Sequence, residues 1–100
     1  MKTDFTLLLY EDALHIARGL KMDLKNIFAE RLMRARQQKG LSQRQLALAV
    51  GISPRAAGQY EQGQNLPSLE TFILLTEALD VSADYLLGLT EQDTPDQTEP

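Results

Sequence analysis

The chain has no cysteine and a single histidine, His15. Without cysteine there can be no disulfide, no thiolate metal site and no thiol nucleophile. With one histidine, the usual zinc ligand sets and a serine–histidine triad lack their parts. His15 has only acids within helical spacing, so it reads as a surface or packing residue. Long apolar runs are missing too. The longest, Leu46 to Ile52, is far short of the roughly 18 residues that a membrane helix needs. Leu7 to Tyr10 is short, is flanked by Asp4 and Glu11, and has no small-residue cleavage site, which argues against a signal peptide. These absences predict a cytoplasmic protein that is not an enzyme and that takes no metal or cofactor.

What is present suits one folded domain. Apolar residues make up 43% of the 100 positions and charged residues 24%, a balance that favours folding over disorder. The net charge of −4 is unevenly distributed. Residues 25–55 carry Lys25, Arg31, Arg34, Arg36, Lys39, Arg44 and Arg55 against Glu30 alone. Residues 56–88 carry only acids: Glu61, Glu70, Glu77, Asp80 and Asp84. A particle polarised in this way can present its basic side to phosphate despite its net charge.

Caps and breakers divide the chain into helices. Asp23 can cap a first helix running to about Gln38, with Met22 and Ile27 spaced as a hydrophobic staple and Gly40 suited to its end. Leu24, Phe28, Leu32 and Ala35 give this helix an apolar stripe. Ser42 and Gln45 have capping-box spacing at the start of a second helix, which should end at Val50 before Gly51. Ser53 caps a third helix with Pro54 at its first position, and Gly63 closes it. After an Asn65-Leu66-Pro67 loop, Ser68 caps a fourth helix to about Leu79, with Phe72, Leu75, Thr76 and Leu79 facing inward. Ile73 and Leu74 then remain for a second subunit. Ser82 caps a short fifth helix. From Thr90 the composition turns to Gln, Asp, Thr, Pro and Glu, so 89–100 is expected to be a disordered acidic tail. The predicted class is all-α.

Residues 1–22 form a separate arm. Ala13, Ile16, Ala17 and Leu20 recur at helical spacing, which predicts a short extra helix from about Glu11. Phe5, Leu7, Leu8, Leu9 and Tyr10 add apolar surface that such an arm cannot hide alone. The arm is therefore expected to pack on the body or on a second subunit.

The second and third predicted helices carry the central signal. Gln43, Ala47, Gly51, Ala57 and Tyr60 have the spacing of a helix-turn-helix unit, with Leu46, Val50 and Ile52 apolar where the pair closes on itself. Leu41-Ser42-Gln43, Leu46-Ala47, Gly51-Ile52-Ser53, Glu61-x-Gly63, Pro67-Ser68-Leu69 and Asp84-Tyr85-Leu86-Leu87 occur in order. In these motifs the chain resembles the Cro and phage-repressor type of helix-turn-helix, the Xre family, from about residue 26 to 88. The resemblance implies a five-helix DNA-binding domain over 23–88 with its third helix in the major groove of double-stranded DNA. It implies a transcriptional regulator, a repressor by preference, binding a palindromic operator as a homodimer. An antitoxin or other adaptor that holds a toxin partner is the alternative on the same fold.

Residue by residue, the resemblance puts Pro54, Arg55 and Gln59 at base edges. It puts Ser53 and Gln62 on the DNA backbone, and Gln43 on a phosphate while bracing the reading helix. The chemistry agrees: Arg55 can donate twice to guanine, Gln59 can pair with adenine, and Pro54 can touch a thymine methyl. The cations Arg36, Lys39 and Arg44 are further phosphate candidates. Arg36 and Glu61 also match a structural ion pair of the phage repressors, between the first helix and the end of the reading helix. Ala56-Ala57-Gly58 departs from the pattern, since the family usually has a branched apolar residue at Ala57. Tyr60 or Phe72 is expected to fill that space, and Gly58 costs about 1 kcal/mol of helix stability relative to alanine. With few strong readers, DNA shape should contribute to recognition.

Overall fold

The computed structural model describes residues 24–94. The predicted arm over 1–22, the Asp23 cap and residues 95–100 lie outside the described residues.

Five helices follow one another: α1 over 24–38, α2 Gln43–Val50, α3 Pro54–Glu61, α4 Leu69–Leu79 and α5 Ala83–Leu86. No strand occurs among the described residues. The starts of α2 to α5 are serine caps. Ser42, Ser53, Ser68 and Ser82 each accept, through the side chain, the N–H three residues on. At Ser42 the Gln45 amide oxygen returns the bond to the cap N–H at 2.8 Å, completing the capping box. Pro54 stands at the first position of α3, where a helix has no use for its missing N–H.

The helices also end alike. At α3, Gly63 adopts φ +74°, Gly63 N–H donates to Tyr60 O at 3.2 Å, and Gln64 N–H reaches Gln59 O at 3.0 Å. This is a Schellman turn, and it satisfies carbonyls that the helix leaves unpaired. Helix α4 makes the same left-handed turn on a residue with a side chain, Asp80 at φ 56°. Aspartate tolerates that region better than most non-glycine residues.

Between these turns the apolar faces converge. Phe28, Leu32 and Ala35 of α1, Leu46 and Val50 of α2, Leu75 and Leu79 of α4, Val81, and Tyr85 and Leu86 of α5 form one buried cluster. Leu41, Ile52, Tyr60, Phe72 and Ala78 pack on it half-buried. Ala47 and Ala57 are both fully buried, on the two helices of the central pair. Rings flank the core on the α3 side. Phe28 stands edge-on to Tyr60 at 6.4 Å between centroids and tilted against Phe72 at 6.0 Å. These are separations at which aromatic pairs attract.

Residues 89–94, the described part of the predicted acidic tail, make contacts with the body. Arg31 on α1 donates to the carbonyls of Tyr85 at 3.1 Å and Thr90 at 2.8 Å, and pairs with Glu91 at 3.2 Å. Its guanidinium lies 4.5 Å from the centre of the Tyr85 ring. The backbone N–H of Ser82 donates to Asp93 O at 3.0 Å. Side-chain composition suggests disorder here because the segment buries little apolar area. Its hold comes instead from backbone carbonyls meeting one largely buried arginine, which composition does not register.

Candidate nucleic-acid interface

Helix α3 is anchored on one side and open on the other. Ala57 faces the core, fully buried, and Tyr60 packs beside it, half-buried. Pro54, Arg55 and Gln62 are exposed and Gln59 is half-exposed. Arg55, Gln59 and Gln62 follow one another at i, i+4 and i+7, so they share one face of the helix. With Gln43, Pro54, Gly58 and Gln64 they line a shallow, largely polar groove.

The anchor at the far end of α3 is electrostatic. Arg36 Nε donates to Glu61 Oε2 at 2.6 Å and Nη2 to Oε1 at 3.0 Å, a two-pronged bond between α1 and the last residue of α3. Its remaining nitrogen, Nη1, donates to Leu41 O at 2.7 Å. Glu61 Oε1 also accepts the Gln43 amide at 3.0 Å, so α2 joins the same network. The Glu61 side chain is only 3% exposed and that of Arg36 13%. Water is largely excluded from the pair, which strengthens it and makes it costly to break on one side only.

The contacts of Arg36 and Gln43 bear on the brace among their expected roles. Each of the three guanidinium nitrogens of Arg36 donates one bond within the molecule, two of them to Glu61. Gln43 directs its amide N–H to Glu61, and the brace half of its expected role is the half that its contacts describe. Lys39 and Arg44 are exposed, and neither forms an ion pair among the described residues. Ser53 caps α3 with its hydroxyl, accepting from Ala56 N–H at 3.0 Å.

Two residues of this face had no expected role. Asn65 Nδ2 donates to Gln59 Oε1 at 3.0 Å, and Gln64 Nε2 donates to Gln62 Oε1 at 2.7 Å. Both belong to the loop that Gly63 folds back along α3. The only signal for them in the sequence was the turn itself.

Tyr60 and Phe72 close on Phe28, and Ala57 is sealed. A Cβ at Gly58 would lie 3.6 Å from Gln43 Oε1, an ordinary contact. Glycine is therefore not sterically required there. Among the described residues no cluster of acids and histidines could hold a metal, and no helix is long and apolar enough to cross a membrane.

Comparison with known proteins agrees with this geometry. Residues 32–86 match the family described as Helix-turn-helix. The uncharacterized HTH-type transcriptional regulator YobD of Bacillus subtilis is 36% identical over 69 residues, 69% of this chain and 62% of that protein. The cryptic phage CTXphi transcriptional repressor RstR of Vibrio cholerae is 37% identical over 59 residues, 59% of this chain and 53% of that protein. The chain thus spans little more than half the length of these relatives. The crystal structure of the restriction-modification controller protein C.AhdI from Aeromonas hydrophila superposes with a TM-score of 0.57 at 38% identity, covering 63% of this chain and 92% of that one. With more than half its length matched and its five helices in the order of that fold, the chain belongs to the Xre-type helix-turn-helix family of transcriptional regulators.

Proposed function

We propose that the protein is a cytoplasmic, sequence-specific DNA-binding repressor that acts as a homodimer on a palindromic operator. Helix α3 enters the major groove, with Arg55 donating to guanine and Pro54 and Gln59 at neighbouring base edges. Gln43, Ser53 and Gln62 approach the backbone from the rim of the groove, and Lys39 and Arg44 supply charge to phosphate. The observation that carries this reading is the single exposed face of Arg55, Gln59 and Gln62 on a helix braced at its far end by Arg36, Glu61 and Gln43. The repressor assignment draws on the name of the phage relative.

The homodimer draws on α4. Leu69, Ile73 and Leu74 are 79%, 54% and 44% exposed on this helix, an apolar surface of a kind that monomers seldom leave bare. Two copies joined there would offer two reading helices to successive major grooves, about 34–36 Å apart. The antitoxin alternative has no support from the relatives, which carry regulator and repressor names.

Selection of bound sites from a random duplex pool tests the proposal. A palindrome with half-sites one helical turn apart is the expected result. Enrichment of no sequence, or of a single non-repeated site, counts against it.

A further inference from the structure

Gln59 differs from the other base-facing candidates in having its side chain held within the molecule. Asn65 Nδ2 donates to Gln59 Oε1 at 3.0 Å across six residues, beyond the three or four over which a helix brings side chains together. The contact exists because the left-handed turn at Gly63 lays the following loop back on α3, where Gln64 N–H binds Gln59 O at 3.0 Å. Gln62 is treated in the same way, its Oε1 accepting from Gln64 Nε2 at 2.7 Å. Both glutamines therefore have their amide oxygen engaged by the loop.

An unrestrained glutamine amide rotates broadly about its last torsion and can present its oxygen, its NH2 or both. This versatility underlies the bidentate pairing with adenine, which needs a free acceptor beside a donor. A Gln59 whose oxygen is held by Asn65 presents chiefly the NH2. In the major groove the keto bases, guanine through O6 and thymine through O4, offer acceptors to such a donor. Adenine sets its N6 donor beside its one acceptor, N7, and cytosine offers only the N4 donor, so both suit such an amide less well.

We infer that Asn65 is a specificity-determining residue, which fixes the polarity of the Gln59 amide so that Gln59 reads a keto base rather than adenine. The inference rests on α3 being the reading helix, as proposed above.

The test is a site selection from a random duplex pool, run with the full chain and with its Gln59→Ala, Asn65→Ala and Asn65→Asp variants. Loss of preference in Gln59→Ala marks the base position that Gln59 reads. At that position the unmodified chain should favour a keto base on the order of tenfold. In Asn65→Asp the new side chain only accepts, draws the Gln59 NH2 inward and turns the oxygen out, so the keto preference should vanish or reverse. In Asn65→Ala the amide is released and the preference should flatten. The added carboxylate weakens binding to every sequence alike, so only the base preference within each protein is read. If both Asn65 variants keep the keto preference, or if the unmodified chain favours an amino base there, the inference fails while the role of α3 stands. If Gln59→Ala changes no position, base reading by Gln59 fails and the inference falls with it.

Discussion

Arg55 and Arg36 are both arginines of the basic segment, yet their surroundings give them opposite duties. Arg55 is exposed and forms no ion pair among the described residues, whereas Arg36 is largely buried with each nitrogen bonded. Arg55→Ala should therefore leave stability nearly unchanged and weaken operator binding by about 1–3 kcal/mol per half-site, with relaxed preference at one base pair. Titration on operator and scrambled duplexes at two salt concentrations checks this, and equal binding of variant and parent to both duplexes would contradict it. Arg36→Ala should instead lower stability by about 3 kcal/mol, the low end for one-sided loss of a buried pair, since Arg36 keeps some contact with water. Glu61→Ala should cost less than the sum implies once Arg36 is gone, with a coupling of roughly 1–3 kcal/mol in a double-mutant cycle by denaturant unfolding. Strict additivity would mean that the contact carries no energy. The pair spans 25 positions of sequence, and only the resemblance to phage repressors pointed to it; charge counting along the chain could not.

At the scale of the element, α3 is the least self-sufficient helix of the central pair. It has a good cap and a proline start, but Gly58 stands in its interior and Ala57 is its only fully buried residue. Gly58→Ala should raise stability by about 0.5–1 kcal/mol, because a Cβ there meets only Gln43 Oε1 at an ordinary 3.6 Å and the backbone is helical. In a domain of this size that is a rise of several degrees in Tm, about 4–8 °C per kcal/mol, read by thermal circular dichroism. Gly88→Ala should act in the opposite sense. Gly88 sits at φ +79° and a Cβ would come within 2.6 Å of Ile27 Cγ2, so both backbone and packing must yield. A fall in Tm for Gly58→Ala would show that glycine serves the approach of α2 to α3 rather than merely being tolerated. The helix borders were legible because capping is local, since each serine cap acts within three residues of itself. The turn on Asp80 was not, as aspartate carries no marker that distinguishes a left-handed C-terminus from a surface acid.

For the whole molecule, association and charge decide the behaviour. Ile73→Glu places a charge in the exposed apolar surface of α4 and should shift the protein towards monomer without unfolding it, since Ile73 is 54% exposed. Sedimentation velocity over a range of concentrations reads this, and an unchanged dimer would place the interface elsewhere. Monomeric protein should lose affinity for the full palindrome much more than for an isolated half-site. Lys39→Ala and Arg44→Ala, if each gives up one phosphate contact, should weaken all sequences equally and flatten the slope of log K against log salt by about 0.9 apiece. Variants with the parental slope would take these side chains off the DNA. The net charge of −4 does not oppose such binding, because no lysine or arginine follows Arg55 and the acids dominate the later half of the chain.

The sequence by itself determined the helical class, the placement of the caps and the faces that turn inward, because capping bonds and the 3.6-residue period are settled between near neighbours. It also named, through its ordered motifs, the helix that carries Arg55 and Gln59. Tertiary structure alone decided which distant side chains are tied together. The Arg31 clamp on Tyr85, Thr90 and Glu91 joins residues 54 to 60 positions apart. The amide of Asn65 reaches Gln59 only after Gly63 has reversed the chain. Such bonds depend on where packed elements come to rest, and no local pattern of residue types encodes that distance.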